Sequence, residues 1–114
     1  LKNDSKLRSL FLNIKIKIFM GTWCEDSIRE IPYLFNILNS INYNIESVEI
    51  ICVDENKNTP EGYEKDFEII KVPTIIFFKK NEEINRIVEF PVETLQKDII
   101  KILSNNNYKH AYSE

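Results

Sequence analysis

A chain of 114 residues has the size of one compact domain, large enough to bury a core and too small for two domains. Its 43% hydrophobic and 29% charged residues are a globular balance, which excludes a disordered or fibrous protein. The formal net charge is -3, and lysines are scattered among acids. No basic field is therefore available for phosphates, which argues against nucleic acid as a partner.

The sequence carries no membrane or export signal. No apolar run approaches the roughly twenty residues of a membrane helix, and the N-terminus has no signal-peptide pattern. Two cysteines do not form a disulfide framework, which fits a reducing compartment. We therefore expect a soluble, cytoplasmic protein without a membrane partner. A periplasmic location stays open, since a leader could precede Leu1.

The first half of the chain alternates helical and strand patterns. Residues 4–11 carry apolar side chains at helical spacing behind a capping Asp or Ser, and predict a short helix. Residues 14–20 predict a buried central strand. An apolar stripe over residues 27–41 predicts a long helix, kinked at Pro32. Residues 47–53 are β-branched and apolar, and predict a second interior strand.

The second half predicts a hairpin. Residues 56–61 have loop chemistry, and a short helix is expected at residues 63–67. Strands at residues 74–78 and 83–90 are joined closely enough to be antiparallel. Together with the helices between the earlier strands, this order predicts an α/β fold with a mixed central sheet of about four strands flanked by helices.

The C-terminal residues divide into a helix and a tail. A helix that starts at Pro91 and runs to residue 103 should cover a face of the sheet. Residues 104–114 are polar, rich in asparagine and without a period, so we expect a frayed tail. The predicted domain therefore spans residues 1–103.

Cys24 lies where the first predicted strand ends and the long helix begins. The unpaired N–H groups and positive dipole at a helix start favour a thiolate over a thiol, which makes Cys24 a plausible nucleophile. The ring of Trp23 can shield one side of the sulfur. The residues alone leave a second interpretation open, in which Cys24 is a small buried side chain at a helix start.

Val72 and Pro73 stand directly before a predicted strand. A cis bond between them would leave a strand-like edge with which an extended peptide could pair. An ordinary trans proline that starts a strand is the interpretation that the residues alone favour.

Considered together, these motifs resemble the thioredoxin family. The pattern is a strand, Gly-Thr-Trp-Cys, a helix with proline eight residues after the cysteine, and Val-Pro-Thr before a hairpin and a helix. It covers about residues 14–103, and is most similar to the bacterial group with Trp-Cys-x-Asp-Ser or Trp-Cys-x-Asp-Cys. The resemblance implies a thioredoxin fold and thiol-disulfide exchange.

The resemblance also assigns roles to individual residues. Cys24 matches the attacking cysteine, and Trp23 matches the tryptophan beside it. Pro73 matches the cis-proline next to the active site, and the backbone of Val72 would face a substrate. Ser27 stands at the position of the resolving cysteine.

Three features depart from the family pattern. The hydroxyl of Ser27 cannot resolve a mixed disulfide as a thiol would, which puts dithiol reductase activity in doubt. Ile18 occupies a position where thioredoxins usually hold a buried acid. Glu25 and Asp26 would temper the reactivity of a neighbouring thiolate, although they also stabilise a helix start.

The remaining reactive side chains predict neither a metal nor a cofactor. We expect Cys52 to be a buried packing residue, with a resolving role as the alternative. His110 is the sole histidine and lies in the tail. Monothiol glutaredoxins hold iron-sulfur clusters with glutathione, but their glycine-rich signature is absent here.

The leading hypothesis is a redox protein with one active-site cysteine, which forms mixed disulfides with protein or low-molecular-weight thiols, including glutathione. One alternative is a non-catalytic thioredoxin-fold module that binds a protein partner. Another is disulfide isomerisation, in which the substrate resolves itself. The sequence does not separate them, and it leaves the oligomeric state open.

Overall fold

The computed structural model describes residues 4–21, 25–53, 67–104 and 107–113, with residues 4 and 25–28 described by their backbone alone. The predicted loop at 56–61 and most of the short helix at 63–67 lie outside these residues. None of the described helices is long and apolar enough to cross a membrane. The described elements are α1 (Asp4–Leu10), β1 (Ile14–Met20), α2 (Glu25–Ser40), β2 (Val48–Cys52), β3 (Thr74–Lys79), β4 (Glu82–Val88) and α3 (Leu95–Leu103).

The four strands form one mixed sheet in the order β2-β1-β3-β4. Strand β1 is parallel to β2 and antiparallel to β3, and β3 and β4 form an antiparallel hairpin. The predicted mixed sheet and the central position of β1 are confirmed. The prediction of an interior strand at residues 47–53 is wrong, because β2 is the edge strand of the described sheet and Ile50 is 45% exposed.

The larger hydrophobic core lies between the sheet and the three helices. Side chains of β1, β3 and β4 meet apolar stripes from all three helices, as the helical periodicity predicts. A smaller cluster packs on the opposite face of the sheet around Phe19 and Ile76. The buried residues of the larger core are Leu7, Phe11, Ile14, Ile16, Ile18, Ile31, Leu34, Leu38, Ile41, Ile75, Phe77, Ile87, Leu95, Ile99, Ile102 and Tyr108.

Helix α3 begins later than predicted. The side chain of Thr94 accepts a hydrogen bond from the N–H of Lys97 at 3.1 Å, which is the geometry of an N-cap. The first helical residue is therefore Leu95, and the predicted start at Pro91 is wrong. A polar cap with a free hydroxyl satisfies an N–H group of the first turn, which Pro91 cannot do.

The C-terminal segment, residues 107–113, packs against the domain. Tyr108 is only 7% exposed, and its carbonyl oxygen accepts a hydrogen bond from Nδ2 of Asn85 at 2.8 Å. Its hydroxyl donates to Oδ2 of Asp98 at 2.6 Å. The expectation of a frayed tail is therefore wrong for this segment, because one buried tyrosine holds it to α3 and β4.

Candidate functional site

Three strand ends meet at the end of the sheet where β1 stops and the chain continues into the cysteine motif. Phe19 in β1 pairs with Thr74 at the start of β3. On the other side of β1, the N–H of Val53 donates to the carbonyl oxygen of Met20 at 2.9 Å. This end of the sheet therefore holds the carboxyl ends of β1 and β2 and the amino end of β3.

The proposed nucleophile, Cys24, comes four residues after the end of β1 in the chain. Trp23 and Cys24 lie outside the described residues, and Ser27 is described only by its backbone, which belongs to the first turn of α2. Cys24 directly precedes Glu25, the first residue of that helix. The roles predicted for these three residues remain predictions.

Pro73 is buried at the same end of the sheet, directly before β3. The Val72–Pro73 peptide bond is cis, so the trans form that the residues alone favoured is not found. The carbonyl oxygen of Pro73 accepts a hydrogen bond from the N–H of Glu89 at 2.8 Å, just past the end of β4. On the other side, the hydroxyl of Thr74 donates to the carbonyl oxygen of Lys71 at 2.5 Å. Both ends of this turn are thus fixed to the sheet.

The position at which the family pattern puts a buried acid holds an apolar side chain. Ile18 is completely buried in the core and carries no acid. Glu30 on α2 is 7% exposed, and its Oε2 lies 2.8 Å from Nε of Arg29. The sequence reasoning missed Glu30, although it lies four residues before Leu34 of the apolar stripe, a spacing that puts both side chains on one face of α2.

Cys52 is exposed and does not form a disulfide, so the prediction of a buried packing thiol is wrong. It is the last residue of β2 and lies opposite Met20 in the parallel register. A strand at the edge of the sheet has fewer neighbours than an interior strand, which leaves this thiol in contact with solvent.

The sequence reasoning also missed Tyr112, which lies beside the turn that holds Pro73. Its ring centroid is 6.0 Å from that of Phe90 and 5.9 Å from Nζ of Lys71. Its hydroxyl donates to Oε1 of Glu89. The long polar stretch before Tyr112 gave no periodic signal, so only tertiary structure could reveal this contact.

The described residues contain no group of three or more side chains that could hold a metal ion. A cavity of about 920 Å³ lies at the other end of β1 and is lined by Arg8, Asn13 and Tyr43, among others. The cavity is therefore separate from the end of β1 that leads to Cys24.

The fold and the position of the cysteine motif define a class of protein, the thiol-disulfide proteins built on a mixed sheet with a cysteine before a long helix. The family model for thioredoxin matches residues 2–103. A thioredoxin of Staphylococcus epidermidis is 31% identical over 101 residues, which are 88% of this chain and 89% of that protein. The chain belongs to the thioredoxin family, whose general function is thiol-disulfide redox chemistry.

Solved structures agree on the fold. The thioredoxin of Malassezia sympodialis superposes with a TM-score of 0.57 at 23% identity, covering 80% of this chain and 78% of that one. The thioredoxin of Plasmodium falciparum gives a TM-score of 0.56 at 18% identity, covering 86% and 88%. The thioredoxin fold expected from the sequence is therefore confirmed.

Proposed function

We propose that the protein carries out thiol-disulfide exchange with a single active-site cysteine, Cys24, on protein disulfides or mixed disulfides. The observation that carries this proposal is the family match over residues 2–103, with Cys24 directly before the first residue of α2. A thiolate at a helix start is stabilised by N–H groups and by the helix dipole. Ser27 in the first turn supplies no second thiol.

The exchange proceeds in two steps. The Cys24 thiolate attacks one sulfur of the substrate disulfide, forms a mixed disulfide with it and expels the other sulfur as a thiolate. An external thiolate, from glutathione or from a cysteine of the partner, then attacks the substrate sulfur of the mixed disulfide. Cys24 leaves as a thiolate, and the substrate retains a disulfide to the second thiol. Where that thiol belongs to the substrate itself, the net reaction is isomerisation.

Trp23, Val72 and Pro73 form the substrate-binding surface in this proposal. Support comes from the position of Pro73, at the end of the sheet where β1 leads to Cys24. The hydrogen bond that its carbonyl oxygen accepts from Glu89 fixes it there. In this proposal the backbone of Val72 faces the substrate, and Trp23 directly precedes the attacking cysteine in the chain. We place the activity in the cytoplasm, where thiols are kept reduced.

The test compares exchange with and without an external thiol. We expect slow or no insulin reduction by a dithiol-type assay, and exchange with glutathionylated peptide once glutathione is supplied. Cys24→Ser should abolish the exchange, whereas Cys52→Ser should not. Rapid insulin reduction by the unmodified chain would contradict the single-cysteine mechanism.

A second candidate function is a non-catalytic module that binds a protein partner through the same surface. The buried apolar side chain of Ile18, at a position where the family holds an acid, favours it. Ser27→Cys separates the two candidates, since it restores a resolving thiol. Restored insulin reduction would support a reactive site that lacks only the resolver, and continued inactivity would favour the binding module.

A further inference from the structure

A cavity of about 920 Å³ lies at the end of the sheet opposite to the one that leads to Cys24. Three turns surround it: the turn after α1, the turn after α2 and the turn between β3 and β4. Its volume falls within the range of about 300–1,000 Å³ that is typical of small-molecule sites. The cavity can therefore hold a ligand as large as a nucleotide.

The lining of this cavity is positively charged. Arg8, Lys15 and Lys80 contribute to it, and none of the described residues that line it is Asp or Glu. The whole chain has a formal net charge of -3, so the cavity reverses the average charge of the molecule. A group of cations in a concave site attracts anions. The three cations are far apart in the sequence, and only the fold brings them to one cavity.

The three cations reach the cavity from different directions. Ile14 and Ile16 are buried in the larger core, on the face of the sheet that the helices cover. Lys15 lies between them in β1, so the alternation of a strand turns its side chain to the opposite face. Arg8 comes from α1 on the helix side, and Lys80 comes from the turn between β3 and β4. An anion that meets all three cations therefore carries charge at more than one point along its length.

Hydrogen bonds to the backbone hold the helix side of the cavity in place. Nε of Arg8 donates to the carbonyl oxygen of Ile41 at 3.0 Å, which positions the guanidinium and leaves its Nη donors for a ligand. The hydroxyl of Tyr43 donates to the carbonyl oxygen of Ile14 at 2.5 Å, and its ring packs edge-on against Phe11. An arginine held in this way loses less side-chain entropy when it binds a ligand.

Amide side chains add neutral donors around the cations. Asn13, Asn42 and Asn81 line the cavity, and each has positive φ, which asparagine adopts more readily than most residues. They form the tight turns around the cavity and are exposed there. An amide NH₂ group donates hydrogen bonds without adding charge, and phosphate oxygens accept them. A lining of cations and amide donors without carboxylates therefore matches a phosphate chain in both charge and hydrogen bonding.

We propose that this cavity binds a small polyphosphate anion, either free or as the phosphate chain of a nucleotide. The Nη groups of Arg8 bind one phosphate through two parallel hydrogen bonds, and Lys15 and Lys80 neutralise the neighbouring phosphates as point charges. The asparagine amides donate to the remaining oxygens. No residue of the proposed exchange site takes part, so this binding is independent of the thiol chemistry.

NMR titration of the full isotope-labelled chain at low ionic strength tests this binding. Sodium tripolyphosphate and ATP should shift the backbone amide signals of Asn13, Lys15 and Asn81, whereas adenosine should not. Inorganic phosphate should bind about fivefold or more weakly than tripolyphosphate, because it meets fewer cations. Tighter binding of ATP than of tripolyphosphate would assign the cavity to nucleotides, and equal or weaker binding of ATP would assign it to a free polyphosphate chain.

Substitution of the two lysines tests their part in the site. Lys15→Gln and Lys80→Gln should each weaken tripolyphosphate binding about two- to fivefold, the range for one exposed ion pair. Both side chains are exposed, so the variants should keep the fold, which their NMR spectra verify. Lys71→Gln is the matched control, because this exposed lysine lies before β3 at the other end of the sheet. It should change the affinity less than about 1.5-fold, since charges so far apart are screened.

Several results would overturn the inference. These are the absence of shifts at the cavity residues, adenosine binding as tightly as ATP, and phosphate binding as tightly as tripolyphosphate. An affinity that neither cavity variant changes, or that Lys71→Gln lowers as much as they do, would overturn it as well.

Discussion

The hydroxyl of Tyr108 donates a hydrogen bond to Oδ2 of Asp98 at 2.6 Å, in the interior of the domain. The same carboxylate accepts from the N–H groups of Val92 at 2.6 Å and Glu93 at 3.0 Å. One buried carboxylate therefore joins three parts of the chain: the C-terminal segment, the loop after β4, and α3. Buried charge is costly unless it is hydrogen-bonded in this way.

Tyr108→Phe should lower the free energy of unfolding by about 1.5–3 kcal/mol, the range for a hydrogen bond to a charged group. The ring still fills its place in the core, so the loss reports the hydroxyl alone. Urea denaturation measures it, with Tyr33→Phe as an exposed control that should change stability by less than about 0.5 kcal/mol. Equal stabilities of the two variants would contradict the role given to the Tyr108–Asp98 contact.

Stability should fall at alkaline pH through Tyr108. Burial raises the pKa of Tyr108 above its ordinary value, and the hydrogen bond and negative charge of Asp98 raise this pKa further. The Tyr108 hydroxyl ionises at about pH 10 in the unfolded chain and only at a higher pH in the folded chain. The stability that its neutral form contributes is therefore present below about pH 10 and is lost as the pH rises further. Urea midpoints at about pH 8 and 11 should therefore differ more for the unmodified chain than for Tyr108→Phe. A steeper alkaline loss in the variant would refute this assignment.

His110 should titrate at a lower pH than an ordinary histidine. Partial burial lowers its pKa, and the positive charge of Arg86 lowers the pKa further, against a smaller opposite effect of Glu83. A depressed pKa contributes stability above about pH 6.5 that is lost on acidification. NMR titration of the ring should give a pKa below that of the same histidine in urea. A folded-state value at or above the urea value would count against the described packing of the segment.

Cys52 should react in the folded state. In the Cys24→Ser variant, 5,5′-dithiobis(2-nitrobenzoate) should modify one thiol per chain without denaturant, because the side chain of Cys52 is exposed. Ellman absorbance follows the reaction, and the Cys24→Ser, Cys52→Ser double variant gives the blank. A thiol that reacts only after urea is added would restore the buried residue that the sequence predicted.

Local patterns were enough to predict most of the fold. The alternation and then apolar run of residues 14–20 gave the bounds of β1, and the stripe of residues 27–41 gave α2 to within two residues at its start. The strands predicted at residues 74–78 and 83–90 do form a hairpin, whose turn at Lys80 and Asn81 has positive φ at both residues, as suits a two-residue loop. Each of these features is decided by neighbours in the sequence.

Features decided by distant contacts were predicted less well. An interior strand and an edge strand can have the same apolar composition, so the exposure of Cys52 was not readable from residues 47–53. The buried position of Tyr108 depends on Asp98 and Asn85, which lie 10 and 23 residues away. The roles of Cys24 and Trp23 are predicted from their motif alone, and Tyr112 has no motif at all.

The pH dependence of Cys24 alkylation tests the central claim most directly. Iodoacetamide is reacted with the Cys52→Ser variant across the pH range, and mass spectrometry identifies the modified residue and any mixed disulfide. A thiolate stabilised at the start of α2 predicts an apparent pKa below the value of about 8.5 for a free thiol. A rate that follows a pKa at or above that value, or alkylation that requires unfolding, would contradict thiol-disulfide exchange at Cys24.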